Sequence, residues 1–175
     1  MKKIRIKEGK HYPFPGFFIP IPILVCKRGK SYRRRFAFTD SCMYDLKDED
    51  QLDCNKLFGF SIGHHHKNNS FRFGWRADLN KKKIEILYYA YIDGVRQKPI
   101  PLIFVNPYAL YTYEMIYNPK LKIINLMITD TYEQKTRNSF TFPVESNKLK
   151  GLGYKLGTYF GGNEKAPQDI VIFNL

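Results

Sequence analysis

Four groups of side chains in this sequence could carry chemistry. The first joins Tyr159, His65 from the run G-H-H-H-K, and Arg72 and Arg76 from S-F-R-F-G-W-R. β-Elimination on a uronate needs a cation to neutralise the carboxylate, with a base and an acid close to the breaking bonds. A phenol, an imidazole and a guanidinium on one concave sheet face would supply those parts. The competing reading packs Tyr159 at a strand end and pairs the arginines with glutamate or solvent. His64, His65 and His66 also invite a metal, but neighbours on an extended backbone alternate direction, so one segment rarely offers three imidazoles to one ion. With only His11 outside the run, an exposed polar turn is expected, with no metal and no other cofactor.

The second group is the loop G-G-N-E-K-A-P-Q-D. Its glycines permit positive φ and close approach, and Ala166-Pro167 favours an extended entry to the last strand. Tyr159, Asn163, Glu164 and Asp169 would bind sugar there, or the loop only closes one end of the fold. The third is the basic run holding Arg28, Arg33, Arg34 and Arg35. On an extended backbone at most two of the last three share a face, and arginine forks suit phosphate or sulfate. A polyanion or a neighbouring subunit would fit this patch. No recognised DNA- or RNA-binding motif accompanies it, so specific nucleic-acid reading is not expected. The fourth is the acidic run D-L-K-D-E-D-Q-L-D. Asp48, Asp50 and Asp53 are oxygen ligands of the kind calcium takes, but the Gly-centred twelve-residue loop is missing. A solvated loop, or one answering a basic neighbour, is expected.

These residues must be positioned by strands, because period-2 alternation recurs along the chain and the helical period is nearly absent. In S-F-R-F-G-W-R-A, Phe71, Phe73, Trp75 and Ala77 point one way while Arg72 and Arg76 point the other. In K-I-E-I-L-Y-Y-A-Y-I, Ile84, Ile86, Tyr88, Ala90 and Ile92 oppose Glu85, Leu87, Tyr89 and Tyr91. Tyr111, Tyr113, Met115 and Tyr117 share a third face. Asp93-Gly94 is a strong hairpin turn, with further turns at Asn118-Pro119-Lys120 and in D-L-N-K-K-K. Pro143 marks an edge or a strand end. Strands are also expected over 154–160 and 169–174, the second closing a sheet. Only 44–56 could be helical, with a loop equally compatible. Roughly ten to twelve short strands exceed one small open sheet, so two packed antiparallel sheets in a single domain over 1–175 are expected.

At 175 residues, with 14 Phe and 13 Tyr, the chain can build a sheet-rich core without a disulfide or metal. Cys26, Cys42 and Cys54 lack C-x-x-C spacing and read as neutral thiols. Lys7, Glu8, Lys10 and His11 break any signal-like apolar region, and the proline-interrupted run 14–25 is too short to span a bilayer. A protein of the producing cell's cytoplasm, or one incorporated in a virion, is therefore expected, with no membrane partner. The formal net charge of +13 favours acidic partners.

Three segments resemble known families. I-E-I-L-Y-Y-A-Y-I-D-G-V-R is similar to the strand pair of laminin-G-like modules that ends on a Y-x-D-G turn. K-L-G-T-Y with the strand after Asp169 resembles the Y-F-K-A-G-x-Y and closing strands of alginate-lyase-like sandwiches. The loop G-G-N-E-K-A-P-Q-D-I looks like one in small uncharacterised proteins of Bacteroidetes bacteria and their phages. The likeness covers about two-thirds of the chain and implies an all-β, two-sheet antiparallel jelly-roll sandwich, concanavalin A-like. The lyase strands R-[ST]-E-L-R and Q-[IV]-H are absent, which weighs against elimination. The expected function is a non-catalytic structural or binding module, for instance a phage virion component (capsid decoration or fibre-associated protein) contacting other subunits or an assembled particle. The alternatives are a polysaccharide lyase or hydrolase acting on an anionic polysaccharide, or a carbohydrate-binding lectin-like module.

Overall fold

The computed structural model describes residues 2–13, 21–23, 31–63, 65–132, 136–146, 149 and 152–175. In chain order the strands are β1 (Lys2–Ile6), β2 (Pro22–Ile23), β3 (Tyr32–Phe38), β4 (Asn55–Ile62), β5 (Ser70–Asp78), β6 (Lys83–Ile92) and β7 (Val95–Arg96). They continue with β8 (Ile100–Val105), β9 (Tyr111–Asn118), β10 (Ile123–Asp130), β11 (Thr136–Pro143), β12 (Gly153–Leu156) and β13 (Ile170–Asn174). The helical content among the described residues is two single 3-10 turns, Asp40–Cys42 and Glu49–Leu52. The segment that could have been helical is thus mostly loop, with Asp48 capping its one turn by accepting the Asp50 N–H.

A six-stranded back sheet runs β1-β13-β3-β9-β10-β11, and a seven-stranded front sheet runs β2-β12-β4-β5-β6, with both β7 and β8 pairing β6. Every strand pair is antiparallel. The protein is an all-β, two-sheet jelly-roll sandwich of the concanavalin A-like kind. The Asp93-Gly94 hairpin forms with both residues at positive φ (50° and 87°). The last strand does close a sheet, lying between β1 and β3. β11, which ends on Pro143, is an edge strand. Among the described residues no helix is long and apolar enough to cross a membrane, a statement that does not bear on β-barrels.

The core is aromatic and joins the two sheets directly. Phe58 meets Phe36 at 5.4 Å, Phe73 meets Tyr113 at 5.3 Å, Phe71 meets Tyr117 at 6.1 Å and Trp75 meets Phe38 at 5.4 Å, all between ring centroids. Trp75, Phe71 and Phe73 are fully buried. Rings of this size bury roughly 150–250 Å² each, so four such contacts dominate the packing.

One departure from simple alternation matters. Lys56 pairs with Gly74 and Phe58 with Phe73, which leaves Leu57 as an extra, unopposed residue in β4. Such a bulge reverses the facing of what precedes it. Phe58 points into the core, and Lys56, two residues earlier, points out. The same bulge explains why the strand expected over 154–160 stops at Leu156. The register of β12 on β4 carries on to a bridge between Tyr159 and Lys56, but at Leu57 the ladder gives way and the Thr158 hydroxyl donates to the Leu57 carbonyl instead (2.9 Å).

Gly59 faces Arg72 across β4 and β5, and a Cβ there would collide with the Phe71 carbonyl oxygen and the Arg72 backbone. Gly157 has open space around it. Urea denaturation should therefore show Gly59→Ala losing about 1–3 kcal/mol, with Gly157→Ala within about 0.5 kcal/mol of the parent.

Candidate functional site

The outward face of the front sheet forms the floor of an open cleft of about 1020 Å³. β5 contributes Ser70 and Arg72, β6 contributes Tyr89 and Tyr91, β7 contributes Arg96, and the bulge turns Lys56 into the same space. Their outward facing follows from the core, since Phe71, Phe73, Ala90 and Tyr88 alternate with them and point inward. Tyr12 and Pro13 form one wall, His66 and Lys67 a second, and the stretch from Leu156 to Tyr159 with Gly162 and Asn163 a third.

Cations and rings alternate across the floor. The Lys56 ammonium lies 4.7 Å from the Tyr89 ring centroid and 5.4 Å from that of Tyr159, and the Arg96 guanidinium lies 5.5 Å from Tyr89. Tyr159 stacks on His11 at 5.2 Å and meets Tyr12 edge-on at 4.9 Å. Asp53 is the carboxylate in the lining, 3.5 Å from Arg96. Burial pushes the Lys56 amine down to about 8, helped by the charges of Arg72 and Arg96 and opposed by Cys54 and Asp53. Burial likewise lowers His66, and Arg72, Lys67, His65 and Lys56 add to the effect. Burial raises the Tyr159 phenol, Tyr12 adds to this and Arg72 opposes it. The phenol is therefore protonated at neutral pH and serves as a hydrogen-bonding group, not as a ready base.

The third wall is pinned by the acidic run. Asp50 accepts the N–H groups of Asn163 (3.1 Å) and Glu164 (2.9 Å), while Asn55 accepts that of Gly161 (2.6 Å). Gly162 sits at φ +79° with Asp53 and Asp50 close by, a position that a side chain would strain. The acidic segment thus serves as a clamp on the C-terminal loop. Among the described residues no group of three or more His, Cys, Asp or Glu side chains is placed to hold a metal ion.

The residues singled out in the sequence divide clearly. Tyr159, Arg72 and Asn163 line the cleft. Arg76 shares their sheet face but is engaged elsewhere, donating to Glu85 (2.6 Å) and to the Leu52 carbonyl (2.8 Å). His65 is exposed outside the lining, and its neighbour His66 stands there instead. Glu164 is exposed with its N–H on Asp50, and Asp169 is held by Arg5 and the Glu8 N–H (3.0 Å), so neither lines the cleft. Arg33 and Arg35 are exposed on one side of β3, and Arg34 turns to the other, its guanidinium 5.2 Å from the Tyr32 ring. Arg28 and Cys26 lie outside the described residues. Cys42 and Cys54 are buried free thiols, with burial pushing them up to about 12 and about 11.

The sequence reading did not single out Lys56, Tyr12, Tyr89, Tyr91 or Arg96 as site residues. Tyr89 and Tyr91 carried a signal, being the outward half of an alternating run, and Arg96 follows a hairpin that sets it opposite Tyr91. Lys56 carried none, because the bulge that exposes it is a property of the pairing.

No family model matches the chain, and no curated protein matches its sequence. The Bacteroidetes and phage likeness accordingly has no counterpart among sequence relatives. Solved structures similar to it include winged bean acidic lectin complexed with methyl-α-D-galactose (14% identity, covering 88% of this chain and 74% of the lectin, TM-score 0.47). Chicken galectin 2 (9% identity, 89% and 97%, TM-score 0.46) and toad ovary galectin complexed with thio-digalactose (15% identity, 90% and 97%, TM-score 0.47) are further examples. At these scores the likenesses stand as observations, and the fold rests on the strand order.

Two outcomes follow from the clamp and the buried amine. Asp50→Ala should cost about 1–2 kcal/mol in urea denaturation, with faster amide exchange at Asn163 and Glu164. For Lys56 the folded value near 8 lies below its ordinary 10.5, so between these pH values the unfolded chain binds more protons and stability rises with pH. Lys56→Met lacks that rise. Across this window the wild type should gain on the variant by on the order of 1 kcal/mol.

Proposed function

We propose that the front-sheet cleft binds carbohydrate and that the chain is a carbohydrate-binding, lectin-like module. The observation that carries this reading is the ring arrangement at the cleft: Tyr12, 61% exposed, stands edge-on to Tyr159, with Tyr91 half-buried in the same lining. Sugar rings present apolar C–H faces that pack on aromatic side chains and hydroxyls that need a few placed polar groups. The Asn163 amide, the Tyr159 hydroxyl and the Lys56 ammonium are such groups around one space. Binding is favoured over turnover because the R-[ST]-E-L-R and Q-[IV]-H strands are absent and Arg76 is committed to Glu85. The virion-component and particle-subunit reading draws no support from the strand order, the cleft or the structural likenesses.

A glycan array followed by calorimetry tests the module. Tyr12→Ala and Tyr159→Ala should each weaken the best glycan at least about tenfold, or about 1.4 kcal/mol, with unchanged circular dichroism. Undiminished binding in both variants would place the ligand elsewhere. Ultraviolet absorbance of unsaturated uronates should stay flat during incubation with alginate, pectate, hyaluronan and heparin, and a rise that Tyr159→Phe removes would replace binding with elimination.

A further inference from the structure

We propose that the ligand of this cleft is an acidic glycan and that Arg72 receives its carboxylate or sulfate at the cleft floor. This inference rests on the carbohydrate reading above and names the class of sugar.

Arg72 is only 8% exposed, and its Nε meets no hydrogen-bond partner among the described residues. Its side chain lies across Gly59, where a Cβ would stand within 2.9 Å of the Arg72 Cγ. None of the ion pairs among the described residues includes it. Arg76 makes the comparison sharp. It lies four residues along the same strand and on the same face, and it has both a carboxylate and a carbonyl. A guanidinium buried with its Nε unpaired is costly, so a site that keeps one is built for a partner from outside. The carboxylate in the cleft lining, Asp53, lies 3.5 Å from Arg96 instead.

The surroundings select an anion on a ring. Lys56 and Arg96 both stand over the Tyr89 ring, so these two floor cations converge on one spot, Lys67 standing on a wall, instead of tracking along the cleft as a nucleic-acid backbone would require. A guanidinium fork matches the planar oxygens of a carboxylate and also accepts sulfate. With the anion on Arg72, the attached ring lies among Tyr159, Tyr12 and Tyr91.

Calorimetry with four probes tests this: tetragalacturonate, its carboxyl-reduced counterpart, a heparin tetrasaccharide and its desulfated, N-acetylated and carboxyl-reduced form. At least one acidic probe should bind at least about tenfold tighter than its neutral counterpart. Arg72→Met should erase that preference, and Arg72→Lys should keep part of it. Because Arg72 is buried, two measurements do not depend on its replacement. Arg96→Met, at a half-exposed side chain, should lower the preference by a smaller factor. In the wild type near pH 8, the acidic probe should take up a fraction of a proton at Lys56, read from the dependence of binding heat on buffer ionisation enthalpy. The groups around that amine are Cys54 and Asp53 before it, His66 on the second wall, Arg72 from β5, Tyr89 from β6, Arg96 from β7 and Tyr159 beside it. Equal affinity for acidic and neutral probes overturns the acidic assignment and leaves the cleft reading intact. So does a folded Arg72→Met that keeps the preference. Silence from all four probes and from the array removes both. Tighter binding of a single-stranded oligonucleotide than of any glycan overturns the proposal in favour of nucleic acid.

Discussion

The interlocking of aromatic rings between β4 and β5 of one sheet and β3 and β9 of the other is the constraint from which the rest follows. Phe58, Phe71, Phe73 and Trp75 must face Phe36, Phe38, Tyr113 and Tyr117. Side chains alternate strictly along a strand, so a slip of one residue would carry Arg72 and Arg76 into the core and the rings into water. The register is therefore fixed from the inside. The composition of the cleft floor is what remains on the outside once the core has chosen its residues.

Against that strict alternation the bulge at Leu57 is the one local exception the cleft uses. It brings an ammonium to the outer face next to two guanidinium groups and between two phenol rings. Burial, with like charges crowded into the same space as a lesser cause, lowers the affinities of Lys56 and His66 for their protons. The cation–ring contacts offset part of the cost. The sandwich core carries the stability and the cleft draws on it, the usual division between scaffold and site.

Much of this was legible in the amino-acid order, and the parts that were not have physical reasons. Alternation in S-F-R-F-G-W-R-A and K-I-E-I-L-Y-Y-A-Y-I gave the facing of β5 and β6 correctly, and Asp93-Gly94 gave the hairpin that places Arg96. Tyr159, Arg72 and Asn163 were visible as chemistry-bearing residues because each stands in a locally distinctive run. Lys56 was hidden because a bulge depends on how two strands pair. Tyr12 was hidden because it meets Tyr159 across most of the chain's length. Arg76, Glu164 and Asp169 looked like site residues by type, and only their partners Glu85, Asp50 and Arg5 reveal what occupies them. Asp48 and Asp50 read as a solvated loop, whereas the first caps a turn and the second grips the backbone of a loop more than a hundred residues away.

The pairing of β1 with β13 sets how the sandwich responds to tension. Lys2 lies opposite Asn174 and Ile6 opposite Ile170, so the two strands run antiparallel with their outer ends side by side. A force applied through those ends acts across the ladder and not along it. It parts the pairs in succession, beginning at Lys2 and Asn174, instead of loading them together in shear. The back sheet therefore opens like a zip from its β1 edge. The cleft floor, carried on the other sheet by β4, β5 and β6, is independent of that edge, whereas the Tyr12 wall follows β1 directly in the chain.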